Sequence, residues 1–139
     1  MRVVIDTNTL VSGIISANGP PRRLIDMAKG QSLQFFTSET LLAELHKVLA
    51  RQKFAKRLEQ AGLTPQYLVD DLRRIALVLI PLAVPRIVPN DPDDDHVIAC
   101  AIAASADLIV SGDKHLLSMQ SFQGMPIVKA ADAVARIAS

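Results

Sequence analysis

Arg2-Val3-Val4-Ile5-Asp6-Thr7-Asn8-Thr9 opens the chain, and Leu108-Ile109-Val110-Ser111-Gly112-Asp113 repeats its arrangement far downstream. In each, a short apolar run stops at or just before a carboxylate. Short apolar runs bounded by polar turn formers read as buried strands. In an open α/β sheet, parallel strands end on one edge, and ligands bind in the crevice there. Asp6 and Asp113 are therefore expected to share a site. Carboxylates crowded at one edge repel one another unless a positive charge sits between them. A hard divalent cation, which prefers oxygen ligands, meets that need most simply.

Outward from these strands, helices and strands alternate. Leu10 to Ile15 can begin a helix, and 16–20 is a turn by composition. Pro21 to Lys29 reads as a short helix stopped by Gly30. Leu33 to Phe36 predicts a second strand. Ser38 can cap the next helix, whose Leu41, Leu42, Leu45, Val48 and Leu49 form a helical stripe. A helical hairpin follows, broken at Gly62 and restarted at Thr64-Pro65. Leu77 to Ile80 or Ala83 to Ile87 supplies a third strand. Pro92 to Ala106 is expected as a helix, Leu108 to Val110 as a strand and Lys114 to Met119 as a short helix. Pro126 to Val128 makes a last strand and Ala130 to Ile137 a closing helix. The expected class is α/β: one domain over 1–139, with a mostly parallel central sheet of four to five strands flanked by helices.

With 139 residues, half of them hydrophobic, the chain can bury one proper core but not two. Its 15 basic and 14 acidic residues balance, so only local charge can point to a nucleic-acid partner. The single cysteine, Cys100, excludes an intramolecular disulfide and reads as a small core residue. No run is long enough to span a bilayer, and the opening residues lack a signal-peptide pattern. The expected setting is the cytosol, without membrane association.

The acids carry the chemistry, although each has a structural alternative. Asp6 and Asp113 can be capping residues. In Asp91-Pro92-Asp93-Asp94-Asp95, helix capping accounts for Asp91, Asp93 and Asp94. Asp95 is left over, sharing a face with Ile98, Ala99 and Ile102. Asp94 has a similar claim through Val97, Ile98 and Ala101, so periodicity leans to Asp95 without deciding. Glu44 falls about 40° outside the Leu41–Leu49 stripe, nearest Val48. Glu39 turns further toward solvent. His46, His96 and His115 lack zinc-ligand spacing with Cys100 or one another. There is no phosphate-binding glycine loop and no Gly-x-Ser-x-Gly elbow. Lys47, Arg51, Lys53, Lys56 and Arg57 cluster around Phe54, either as a solvated face or as a surface that tracks phosphates. Arg22 and Arg23 can serve the same role near the mouth of the first strand.

Taken together, these residues resemble the PIN-domain family of metal-dependent ribonucleases, over essentially the whole chain. Val3-Val4-Ile5-Asp6-Thr7-Asn8 is similar to the family's opening strand and first acid. Glu44 in Leu41-Leu42-Ala43-Glu44-Leu45 matches the helical glutamate. Asp95, in the Asp91-to-Ala101 stretch, matches the third acidic position. Asp113 in Ser111-Gly112-Asp113-Lys114 matches the fourth, with Ser111 in the usual Thr/Ser slot. The wording is closest to the VapC-like branch, the toxins of bacterial toxin–antitoxin pairs.

The resemblance implies an endoribonuclease acting on single-stranded or loop RNA. One or two Mg²⁺ or Mn²⁺ ions would be held by Asp6, Asp95 and Asp113, with Glu44 direct or through water. Asn8 and Ser111 would be neutral supporting or substrate contacts. It also implies a homodimer and a possible antitoxin partner. An apolar excess fits a dimer too, with the 130–137 helix and the 54–63 hairpin as expected surfaces. Two other classes compete. Val4-Ile5-Asp6-Thr7-Asn8-Thr9 resembles the opening of haloacid-dehalogenase-like phosphatases, but their second Asp is replaced by Asn8. A PIN-like fold kept only as an RNA-binding or interaction module is the other.

Overall fold

A computed structural model describes residues 1–81 and 92–138 of the chain. The elements run β1 (Arg2–Ile5), α1 (Thr7–Ile15), α2 (Pro20–Lys29), β2 (Gln34–Ser38), α3 (Glu39–Leu49), α4 (Gln52–Gln60) and α5 (Pro65–Ile75). They continue with β3 (Ala76–Leu79), α6 (Pro92–Ala104), β4 (Leu108–Val110), α7 (Lys114–Met119), β5 (Ser121–Phe122), β6 (Met125–Val128) and α8 (Ala130–Ala138). The architecture is the expected α/β one. Six strands lie in the order β3-β2-β1-β4-β6-β5. All neighbours are parallel except the edge pair β5–β6.

Side chains of a strand alternate between faces, and both faces here are buried. Val3, Ile5, Phe35, Leu108 and Val110 join one cluster with α1, α2, α3, α5 and α8. Val4, Phe36 and Ile109 join the other with α6 and α7. That double burial explains why β1 and β4 read as unbroken apolar runs. Val3, Val4 and Ile109 are fully buried, each worth about 1.5–3 kcal/mol relative to exposure.

The chain winds outward from β1 to β2 and β3, then returns to lay β4 on the other side of β1. The helices before the return pack on one face, and α6 packs on the opposite one. The winding therefore reverses between β1 and β4. That reversal opens a crevice at the strand ends, where ligands of doubly wound sheets bind.

Local boundaries differ from the sequence expectation by a few residues. Gly30 caps α2 with an ordinary φ of −82°, and it is Gln31 that takes the left-handed turn, at φ 62°. α6 stops at Ala104 rather than 106: Ser105 turns left-handed at φ 49°, and the Ala106 amide donates back to Ala101. The second strand runs Gln34–Ser38, beyond the expected Phe36, because β3 pairs with it as far as Ser38. β5 was not foreseen. It folds back on β6 through Gln123 (φ 49°) and Gly124 (φ 81°), whose left-handed pair makes a tight hairpin without the usual Asn-Gly signal. Of the two third-strand alternatives, β3 occupies the first; the other, Ala83 to Ile87, lies outside the described residues.

Gly13 shows why the first two helices cross so closely. An added Cβ would stand 2.8 Å from the Pro21 carbonyl oxygen and 2.7 Å from Ile25 Cδ1. Backbone cannot yield as a side chain can, so only glycine fits there. This crossing sets Pro21, at the start of α2, against the last turns of α1.

Candidate functional site

Asp6 leaves β1 and starts α1. Its backbone amide donates to the Val110 carbonyl at 2.9 Å, so β1 remains joined to β4 up to the carboxylate. Its Oδ1 accepts the Thr9 amide at 2.9 Å, the geometry of an N-cap. Its Oδ2 accepts the Ser111 hydroxyl at 2.6 Å, and Asp6 is only 4% exposed. The Ser111 Oγ in turn accepts the Asp113 amide at 3.0 Å. Asp113 caps α7, its Oδ1 accepting the His115 and Leu116 amides at 2.7 and 3.3 Å. Ser111, fully buried, is thus the pin between the two acid-bearing strand ends.

The structure therefore brings Asp6, Ser111 and Asp113 together. It also gives both acids the capping role that competed with a functional one. The two roles are compatible, because each carboxylate oxygen offers two lone pairs. A cap contributes about 1 kcal/mol, and its geometry orients the carboxylate it uses.

Asp95 stands in the first turns of α6 and is 1% exposed. Its neighbours Ile98 and Ala99 are buried as expected, but Ile102 is 41% exposed. The stripe drawn through Ile102 is thus corrected. The buried face runs through Val97, Ile98, Cys100, Ala101 and Ala104, and Ile102 stands outside that cluster. The side chains of Asp91, Asp93 and Asp94 lie outside the described residues.

Glu44 is half-buried on α3, one turn beyond Leu41. Leu41 packs with Val97 and Ile98 of α6, so Glu44 lies on the same flank of α3. Glu39 is engaged elsewhere, accepting Arg73 of α5 on the surface. The weaker standing of Glu39 thus has a physical basis. Cys100 is fully buried, and burial pushes its thiol up to about 12. It stays protonated at neutral pH and acts as core.

A cavity of about 500 Å³ opens at the ends of β1, β4 and β6. Asn8, Ser111 and Asp113 line it, as do Ser12, Lys114 and Lys129. Asp6, Asp95 and Glu44 do not reach its wall. The sequence alone gives neither Lys114 nor Lys129 a binding role. The available signal was position alone: each immediately follows a strand-end segment. Arg22 and Arg23 line a neighbouring cavity of about 530 Å³ between α2 and α8. Lys47, Arg51, Lys53, Lys56 and Arg57 are exposed, with Lys53 set over the Phe54 ring at 5.1 Å. They lie at or beyond the C-terminal end of α3. That helix has 11 residues and is about 16 Å long, so Arg51 lies past its far end from the Ser38 cap.

Among the described residues, no three His, Cys, Asp or Glu side chains form a group ready to hold a metal. The donors at the crevice are carboxylate, hydroxyl and amide oxygens, which suit hard cations rather than soft ones. No helix among the described residues is long and apolar enough to cross a membrane.

Residues 2–115 match the PIN domain family. The chain belongs to that family, whose members are generally nucleases. It is 29% identical over 128 residues to Uncharacterized protein MJ1680 of Methanocaldococcus jannaschii, covering 86% of this chain and 76% of that one. Its fold is similar to a chain in the crystal structure of VapBC2 from Rickettsia felis bound to a DNA fragment from their promoter. The TM-score is 0.61 at 17% identity, over 91% of this chain and 97% of the other. The family match leaves the phosphatase alternative without support.

Proposed function

We propose that this chain is a Mg²⁺- or Mn²⁺-dependent endoribonuclease that cuts single-stranded or loop RNA, acting in the cytoplasm as the toxin of a toxin–antitoxin pair. The observation that carries the reading is the Asp6–Ser111–Asp113 link across the winding reversal, with Asp95 buried on α6. Membership of the PIN family supports nuclease chemistry. The fold likeness to a VapBC2 chain supports the antitoxin partner.

Asp6, Asp95 and Asp113 would hold one or two ions, with Glu44 direct or through water. Mg²⁺ retains several waters and needs only one or two carboxylates, so a site need not gather three acids at once. When bound, the ion would supply a water of lowered pKa and a counter-charge for the attacked phosphate. The remaining work falls to the chain. The Thr9 amide and the Ser111 hydroxyl fix the plane of the Asp6 carboxylate. The α7 cap fixes Asp113. Asn8 and Ser111 offer neutral hydrogen bonds to substrate or to the acids.

Incubation with unstructured RNA, with and without Mn²⁺, tests the reading. Internal cleavage that requires the metal is expected. Binding without cleavage would instead favour the interaction-module reading, and hydrolysis of simple phosphomonoesters alone would sink both.

The protein is further proposed to form a homodimer. Of its two expected surfaces, α8 spends Ala133, Val134 and Ile137 on the core, and the hairpin spends Phe54, Leu58 and Leu63 there. Among the described residues, Met1, Tyr67, Leu77, Ile80 and Ile102 are the large apolar side chains left exposed for contacts between copies. Light scattering at micromolar concentration should give twice the chain mass; a monomer throughout that range would remove the dimer and leave the nuclease reading intact.

A further inference from the structure

The cavity at the strand ends and the cavity between α2 and α8 are neighbours. Pro21 and Ala130 line the one beside Asp113, and the adjoining Pro20 and Ala131 line the one between α2 and α8. Together they make a trough that leads from Asp113 out across the starts of both helices. Four cations stand along it: Lys114 and Lys129 in the inner part, Arg22 and Arg23 in the outer. Two acids oppose them, Asp113 and Asp26, and Asp26 is already paired with Arg22 at 3.5 Å. Lys114, Lys129 and Arg23 form no ion pair among the described residues.

We infer that an RNA strand leaves the crevice through this trough, its phosphates held by Lys114, Lys129, Arg22 and Arg23. The inference rests on the proposed reading of Asp113 as part of the reaction site. Two features favour it over the basic residues of α4. The trough is continuous with the crevice, whereas the α4 cluster stands the length of α3 away from the Ser38 cap. It is concave, so a flexible single strand can settle into it and shed counterions to fixed cations. Neither cavity is lined by Phe or Tyr, and the chain has no Trp. Without a stacking surface, recognition along the trough is of phosphate and not of base. This part of the molecule therefore binds RNA regardless of sequence, and any base preference arises elsewhere.

The test uses the full chain carrying Asp6→Asn, in EDTA, so that cleavage plays no part. Fluorescence anisotropy with short oligo(U) and oligo(A) across a salt series reads affinity and its slope. Lys114→Ala/Lys129→Ala and Arg22→Ala/Arg23→Ala are expected each to reduce the log–log salt slope by roughly 1.4, at about 0.7 per lost contact on a single strand. Both oligonucleotides should be affected alike. Lys47→Ala/Arg51→Ala/Lys53→Ala/Arg57→Ala should leave slope and affinity near those of the parent. An unchanged slope in the trough variants, an equal or greater loss in the α4 variant, or no RNA binding by the parent at low salt would each overturn the inference. The failures are separable from those of the nuclease reading. A wild-type chain that cleaves while the trough variants bind normally loses the trough alone. One that binds through the trough but never cleaves loses the nuclease alone.

Discussion

Asp6→Asn and Asp95→Asn are each expected to reduce RNA cleavage by more than about 100-fold, beyond the 10–100-fold typical of changes to groups that merely support metal ligands. Each keeps the shape of the side chain and removes the charge that a cation needs. The fold should survive, for a reason visible at Asp6. Asparagine caps a helix about as well as aspartate, so the bond from the Thr9 amide is retained. The contact with Ser111 weakens by about 1 kcal/mol at most. Asp95 is buried, and the isosteric amide leaves no cavity behind. Asp93→Asn serves as the control, because helix capping accounts for Asp93 without a catalytic role. Cleavage rates and circular dichroism on the three variants decide the matter. An inactive Asp93→Asn beside an active Asp95→Asn would mean that the wrong aspartate of the run was assigned to the site.

Divalent metal should raise the melting temperature, and the rise should disappear in Asp6→Asn. Linkage gives about 2.7 kcal/mol at a metal concentration 100-fold above the dissociation constant, or roughly 8–12 °C for a chain of this size. The metal-free chain should nonetheless be folded. Both Asp6 oxygens and one of Asp113 already accept hydrogen bonds from the protein, so the acids are oriented before any ion arrives. Thermal melts in EDTA and in Mn²⁺ provide the measurement. Equal midpoints in the two conditions for wild type, or an increment that persists in Asp6→Asn, would remove the metal site.

Much of this architecture is legible because its signals are local. β1 and β4 announce themselves through runs that are apolar on both faces. Ser38 and Thr64 announce helix starts, and their hydroxyls do accept the Leu41 and Tyr67 amides. Asp6 and Asp113 were each ambiguous between cap and functional acid. The ambiguity was genuine, since both are caps. Boundaries were less legible where a non-glycine residue takes a left-handed turn, as at Gln31, Ser105 and Gln123. Non-glycine residues adopt such turns only rarely, so side-chain identity hardly signals them.

By itself the sequence determined the α/β class, the strands that carry Asp6 and Asp113 and the capped starts of the central helices. Each of these follows from residues within a few positions of one another. Only the tertiary structure decided that Ser111 ties the two strand ends together, across 105 residues of chain. It alone decided that Glu39 pairs with Arg73, that Ile102 turns out to solvent, and that Lys114 and Lys129 share a recess beside Asp113. Strand order set the first and the last of these outcomes. Laying β4 against β1 joins distant segments through contacts that no local periodicity encodes.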